Sequence, residues 1–399
     1  MAMVFVPVHP SLTRIMQNPM RQRWSWTASV GTERTTIRGI TVIGDVLRPD
    51  GKGGPGGVDR PSIWLFDAIK RQVHLASGLP IDVVTTASPG FRGWLDTLRS
   101  PATAHRQWAM AHECLEVSAI PDALLQRLRD RFCIGYELPP WLRLLLRSLD
   151  VPYVDLRLHP VRFLDDLLFA VRASRADTQA DLLAMAEPES LVIATAGLRE
   201  AMCHMVSEAT VPAGTLIVLG QRQLDSSQIV AGAFFDCLAR APEIRAICEC
   251  YAAVLLKPHP LEPEHALLEV AADARNVIGV TRENLYRLMS LPEITGILTV
   301  NSSAASEAPY FGKRTHTLAP LPFRVAWRGA ADGDLLYASI NDRVLTVDFW
   351  RTVLAPVTRV TEPDHVVLPP KPNRLRIALD SFWNFQEIDT DRVPGRPAA

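Results

Sequence analysis

The sequence predicts an α/β fold in which two Rossmann-like parallel-sheet domains face a cleft. Short β-branched runs alternate with longer amphipathic stretches through the second half, and the same alternation recurs less regularly in the first. The chain has 399 residues, 48% of them hydrophobic, which suffices for two buried cores.

In the first half, "GITVIGDV" (39–46), "IDVVTT" (81–86), "CIGYEL" (133–138), "PYVDLRL" (152–158) and "SLVIAT" (190–195) read as strands, with amphipathic runs such as "WLRLLLRSL" between them. In the second half, "TLIVLG" (215–220), "AAVLL" (252–256), "NVIGV" (276–280) and "ITGILTV" (294–300) read as strands. Among these, "IVAGAFFDCLARA" and "EHALLEVAADA" read as helices. A Pro-rich joint, "LPPKPN" (368–373), precedes a predicted helix, "RLRIALDSFWNF", and a polar end, "DTDRVPGRPAA", expected to be disordered. The expected domains are 1–208 and 209–368, each Rossmann-like, with joint, crossover helix and tail over 369–399. Two such halves with a C-terminal helix folding back form the arrangement called GT-B, in which ligand lies at the carboxyl ends of the strands.

A formal net charge of −1 argues against nucleic acid as a partner. The six cysteines (Cys114, Cys133, Cys203, Cys237, Cys248, Cys250) form no C-x-x-C pair and lie mostly in apolar segments, as buried free thiols in a reducing compartment do. The apolar start "MAMVFVPV" is too short for a signal sequence, and no run approaches the ~18 apolar residues of a membrane span. A cytoplasmic protein is expected.

Three segments carry chemistry. In "VLLKPHPLEPEH" (254–265), Pro258 and Pro260 cannot continue a sheet ladder, so the strand stops at Lys257 and His259 is held extended beyond it. A solvated surface turn and a cationic binding pair explain this segment about equally well. In "TVNSSAASEAPYFGK" (299–313), Asn301, Ser302 and Ser303 are N-cap types after a strand, a natural phosphate cradle, and Glu307 follows one turn on, where it could accept ribose hydroxyls. A simple capping motif is the plainer account. "LIVLGQRQLDSSQIV" (216–230) places Gln221, Arg222 and Asp225 in the turn after a strand, where Asp225 alone would read as an N-cap.

Taken in order, strand–"GQ"-x-x-x-"DSS", "KPHP" and strand–"NSSAASEA" resemble the bacterial capsule-polysaccharide synthesis family, whose members include retaining β-Kdo transferases using CMP-Kdo. The resemblance spans roughly residues 210–320; the first half shares only the general architecture. It implies that Lys257 and His259 contact the donor phosphate, that Ser302 and Ser303 cradle it, that Glu307 binds ribose, and that Asp225 sits at the reacting carbon. It also implies a CMP-sugar donor rather than a bound cofactor, no metal, a glycan or glycolipid acceptor, and peripheral association with membrane-bound polysaccharide assembly machinery at the inner face of the inner membrane.

Those residue types suit the chemistry. A departing monophosphate can be stabilised by a cation and hydrogen-bond donors, and retention through two displacements needs a carboxylate nucleophile, for which Asp225 is the candidate. Arg222 is the nearest choice for the Kdo carboxylate. Acceptor binding or proton transfer falls to the first half, where "GYELPPWL" and "YVDLRLHPVRFLDD" offer Glu137, Asp155, Arg157, His159 and Arg162. Taken singly, each of these is more readily a structural residue paired with a neighbour. "GKGGPG" (51–56) matches G-x-G-x-x-G, but Pro55 interrupts it and it reads as a flexible loop; "DGD" (332–334) and "DTD" (389–391) read as chance matches to a metal-binding D-x-D. The competing functions are a CMP-sialic acid transferase, a sugar-nucleotide epimerase of the same fold, and an inactive glycan-binding module.

Overall fold

The computed structural model describes residues 37–98, 101–113, 115, 120–204, 211–330, 336–362 and 374–379. The apolar start, Cys114, both D-x-D matches, the Pro-rich joint and the polar tail lie outside the described residues.

The strands are β1 (Gly39–Ile43), β2 (Ile81–Val84), β3 (Arg131–Tyr136), β4 (Tyr153–Leu158), β5 (Phe169–Ala173), β6 (Thr215–Leu219), β7 (Ile229–Val230), β8 (Ala233–Phe234), β9 (Ala253–Lys257), β10 (Val277–Val280), β11 (Ile294–Thr299), β12 (Arg314–Thr317), β13 (Val325–Ala326) and β14 (Tyr337–Ile340). β1, β6 and β9 are buried along their whole length, which explains why they read as continuous apolar runs rather than alternating ones. The second sheet is all parallel in the order β10-β9-β6-β11-β12, so its direction of winding reverses between β6 and β11. The first sheet runs β13-β14-β5-β4-β3-β1-β2; β1 to β4 are parallel and the winding reverses between β1 and β3. Crevices open at the carboxyl ends of strands at such reversals. The fold is GT-B-like.

Each sheet is covered on both faces. Helix Asp59–Ser77 lays Leu65, Ile69 and Val73, spaced four apart, on one face of the first sheet, and Trp108, Trp141 and Leu145 cover the other. On the second sheet, Ile217 and Leu219 face one core while Leu216 and Val218 face the opposite one, the period-two alternation of a strand.

The chain path departs from the expected domain limits. β14 pairs antiparallel with β5, and helix Val347–Leu354 buries Phe349, Trp350, Val353 and Leu354 in the same core as helix Asp59–Ser77. Residues 325–354 therefore belong with the first sheet rather than with a domain reaching 368. Ser190–Thr195, expected as a strand, lies inside helix Glu189–His204; its Val192, Ala196 and Arg199 are buried at helical spacing and the first two pack under the second sheet. Residues 229–241, expected as a helix, begin as the β7–β8 hairpin, because Ala231 and Gly232 adopt positive φ of 51° and 78° and turn the chain. That hairpin crosses the cleft: Ile229 is buried in the core of the first domain, and Phe234 lies 5.9 Å from the Trp108 ring.

Cys133, Cys203, Cys237 and Cys248 are free and buried, and Cys250 is free and exposed. No described helix is long and apolar enough to cross a membrane.

Candidate active site

The three chemistry-bearing segments of the second half converge where β6, β9 and β11 end. Gly220 permits this: a Cβ there would stand 3.1 Å from the His259 backbone nitrogen, so the turn after β9 packs directly on the end of β6. Gln221 fastens β6 to β11, its Oε1 accepting from Thr299 Oγ1 (2.8 Å) and the Asn301 N–H (3.1 Å) while Nε2 donates to Asn301 Oδ1 (3.0 Å). Asn301 in turn donates to the Ser227 carbonyl, which anchors the turn holding Asp225. Gln221, expected to touch the donor, lines the cavity, but its polar atoms are engaged within the protein and its role is to position this turn.

Asp225 caps the short 3-10 turn Ser226–Gln228, its Oδ1 accepting from the Ser227 N–H at 3.0 Å. Its other oxygen receives Arg48 Nη2 at 2.9 Å. Arg48 comes from the loop after β1 in the first domain, and its Nη1 lies 3.7 Å from Glu137 Oε2. The guanidinium sits over the Trp108 ring, 5.4 Å from its centroid. Trp108 is fixed in turn by donation from its indole Nε1 to the buried Asp45 at 2.7 Å, and Asp45 also accepts from Trp141 Nε1 and the Leu47 N–H. The segment read as a flexible glycine loop is part of this support: Asp50 Oδ1 accepts from the Lys52 and Gly54 N–H groups, and the Gly57 N–H donates to the Arg48 carbonyl at 3.1 Å.

Glu137 follows β3 in the left-handed region, φ 52°, a conformation rare for a residue with a side chain. Burial pushes its carboxyl above the ordinary glutamate value despite the Arg48 charge. Burial also acts to raise Asp225, but the Arg48 charge and the hydrogen bonds from Ser227 and Arg48 prevail and hold it below the ordinary aspartate value. One carboxylate is thereby kept ionised beside another biased toward holding a proton, a division suited to nucleophile and acid–base.

Lys257 is buried and its ammonium donates to the Glu283 carbonyl. His259 accepts the Leu261 N–H on Nδ1 at 3.2 Å; burial first, and Arg222 second, lower its pKa. Ser302 Oγ accepts the Ala304 N–H at 3.3 Å, and the helix that follows, Ala304–Glu307, is a single turn. Glu307 is buried beneath it, with Oε1 accepting from the Arg162 N–H (2.7 Å) and Tyr286 hydroxyl (3.0 Å), and burial pushes its carboxyl up to about 7.

A cavity of about 290 Å³ lies between the domains. Glu137, Arg157 and Arg162 line it from the first half, and Gln221, Arg222, Asp225, Lys257, His259, Ser302, Ser303 and Glu307 from the second. Two expected residues are not in its wall. Asp155 is fully buried and accepts from the Leu138 N–H (2.8 Å), the Tyr337 hydroxyl (2.6 Å) and Arg157 Nε (3.2 Å), so it fixes Arg157 and cannot reach a substrate. His159 is buried against Trp327, takes the Val161 N–H on Nδ1 at 3.0 Å and meets Ser339 Oγ through Nε2 at 3.0 Å; burial lowers its pKa to about 3, so it is a neutral structural histidine. Arg157 reaches the wall with its guanidinium held by Asp155, Tyr337 and the Leu138 carbonyl. Arg162, expected on the acceptor side, adjoins Glu307 instead.

Sequence reasoning passed over Arg48, Tyr286 and Arg376. Arg376, in the C-terminal helix Arg374–Leu379, donates to the carbonyls of Arg162, Leu164 (2.8 Å) and Asp165 (3.0 Å) and so holds the loop that carries Arg162. Its only sequence signal was the predicted crossover helix. Among the described residues, no three His, Cys, Asp or Glu side chains converge as a metal site.

No protein-family model matches the sequence, and no curated protein does. Among solved structures, the chain is similar to Thermosulfurimonas dismutans KpsC, beta Kdo 2,4 transferase, with a TM-score of 0.36 and 13% identity, covering 70% of this chain and 78% of that one. It is also similar to Thermosulfurimonas dismutans KpsC, beta Kdo 2,7 transferase, with a TM-score of 0.30 and 13% identity, covering 61% of this chain and 80% of that one.

Proposed function

We propose that this chain is a retaining, metal-independent glycosyltransferase that moves Kdo from CMP-β-Kdo onto a bacterial surface glycan, working peripherally at the inner face of the membrane. The observation that carries the reading is the pair of carboxylates, Asp225 and Glu137, biased in opposite directions on either side of Arg48. In the first step an Asp225 oxygen forms a bond to the anomeric carbon as the bond to the CMP phosphate breaks, and CMP departs with the electron pair. His259 and the Ser302 and Ser303 hydroxyls receive the leaving phosphate. In the second step Glu137 takes the proton of the acceptor hydroxyl, whose oxygen displaces Asp225 and restores the original configuration. Two inversions give retention.

Calorimetric titration with CMP, CDP, UDP and GDP in the presence of EDTA tests the donor reading. CMP is expected to bind most tightly, and a preference for UDP or GDP, or binding that requires added magnesium, would overturn it. An epimerase would convert the nucleotide sugar without acceptor, whereas transfer releases CMP chiefly when acceptor is present.

A further inference from the structure

We propose that the Arg162 guanidinium is the receptor for the carboxylate of an acidic donor sugar, and so the residue that restricts the donor to acids. This inference rests on the reading of the cavity as a CMP-sugar site. It assigns to Arg162 the part that sequence position alone suggested for Arg222, which is exposed on the cavity wall.

The backbone of Arg162 is clamped from two directions. Its N–H donates to Glu307 and its carbonyl accepts from Arg376, so the root of the side chain is fixed. The side chain itself has no comparable partner. Its Nε is buried without a hydrogen bond, and among the described residues no carboxylate is ion-paired with the guanidinium. Of the other arginines in the cavity wall, Arg157 is held by Asp155 and Arg376 by loop carbonyls, while Arg222 is exposed to solvent and carries no burial cost; Arg48, outside the wall, is paired with Asp225. A buried donor left unsatisfied is costly, so a cationic one in a cavity wall is most readily explained by a ligand that supplies the acceptor.

The position of the charge favours the sugar over the nucleotide. Arg162 acts electrostatically on Tyr136, which precedes Glu137 at the end of β3, as well as on Glu307 and His259. It lines the cavity together with Glu137 from the first half and His259 and Glu307 from the second, and the reacting sugar must lie between those two walls. A CMP-linked acid sugar brings two anions. The phosphate has His259 and two serine hydroxyls; the carboxylate needs a separate cation, and a planar guanidinium matches it with two parallel hydrogen bonds.

The test titrates the 399-residue chain and its Arg162→Gln and Arg162→Lys variants with CMP and CMP-Kdo by calorimetry. Arg162→Gln is expected to bind CMP within about twofold of the parent and CMP-Kdo roughly 10- to 100-fold more weakly, with Arg162→Lys in between. In the parent, converting the Kdo carboxylate to its amide should weaken binding by a similar factor, an arm that does not depend on any variant folding. Equal weakening toward CMP and CMP-Kdo would overturn the inference and move Arg162 to the phosphate or ribose. Unchanged affinity for CMP-Kdo, or a parent indifferent to the amide, would overturn it as well. A parent that binds neither CMP nor CMP-Kdo would instead end the donor reading, and the inference with it.

Discussion

Arg48 and Asp225, 177 residues apart, form an ion pair across the domain cleft, with Nη2 2.9 Å from Oδ2. The ionisation of an acid on the second domain is thus set by a cation on the first, so the site is complete only when both halves are in register. The β7–β8 hairpin, which continues the chain from Asp225 into the first domain's core, holds that register.

Arg48→Gln should lower turnover by roughly 10²-fold, as loss of one preorganised electrostatic partner does. Asp225 would then titrate at higher pH, so the acidic limb of the pH–rate profile should move upward, and Arg48→Lys should restore part of both. An acidic limb that stays in place would remove Arg48 from control of Asp225.

Asp225→Ala should retain CMP binding and lose transfer. Intact-mass and peptide mapping of the parent with CMP-Kdo and no acceptor should place one Kdo unit on Asp225. If Asp225 were only the cap of its 3-10 turn, alanine would cost ~1 kcal/mol of stability and leave transfer at the parent rate.

Gly57→Ala tests the loop behind Arg48. A Cβ at Gly57 would stand 2.2 Å from the Pro49 carbonyl oxygen and 2.9 Å from that of Arg48, so the backbone of Arg48 must shift. A stability loss of ~1–3 kcal/mol and a fall in turnover larger than any change in CMP affinity are expected; parent-like kinetics would show that the loop does not position Arg48.

Glu307 binds its proton more tightly folded than unfolded, because burial raises its carboxyl to about 7. Its contribution to stability is therefore full below the unfolded value near 4.5 and is lost as pH rises through 7, a change on the order of 3 kcal/mol. Glu307→Gln keeps an oxygen for the Arg162 N–H and Tyr286 hydroxyl, so it should flatten this dependence and be the more stable protein at pH 8. Denaturant midpoints from pH 5 to 8 provide the measurement. Parallel curves for parent and variant would contradict the assignment.

His159→Ala should cost ~1–3 kcal/mol, since it strands the Val161 N–H and takes from Ser339 Oγ one of its two partners, while leaving the folded enzyme's turnover within about twofold. The histidine is neutral when folded and must be deprotonated to fold. The parent therefore loses stability as pH falls below the unfolded value of 6.5 toward about 3, a slope the variant should lack. Loss of turnover without loss of stability would return His159 to the chemistry.

What the sequence made legible depended on how local the signal was. The centre of the second sheet could be read because β6, β9 and β11 are buried, mostly apolar runs ended by glycine, by proline and by asparagine and serine respectively, whereas the polar, exposed edge strand β12 gave no such signal. Residues 190–195 misled because a β-branched run does not reveal that its buried positions are spaced for a helix, and 229–241 misled because Ala231-Gly232 is a turn without the usual Asn or Asp. Asp225, Glu137, His259 and Glu307 could be proposed from strand-end position. Arg48 could not, because its two acidic neighbours are distant in sequence; nor could the structural fate of His159, whose hydroxyl partner Ser339 follows 180 residues later.

The return of β14 and helix Val347–Leu354 to the first sheet bears on how the protein is made. As the chain leaves the ribosome, β5 exposes an unpaired edge until the whole second sheet has been synthesised and residues 337–354 follow. The domain begun first is finished only after the second, and the nascent protein must keep that edge out of reach of other chains while residues 174–336 are made.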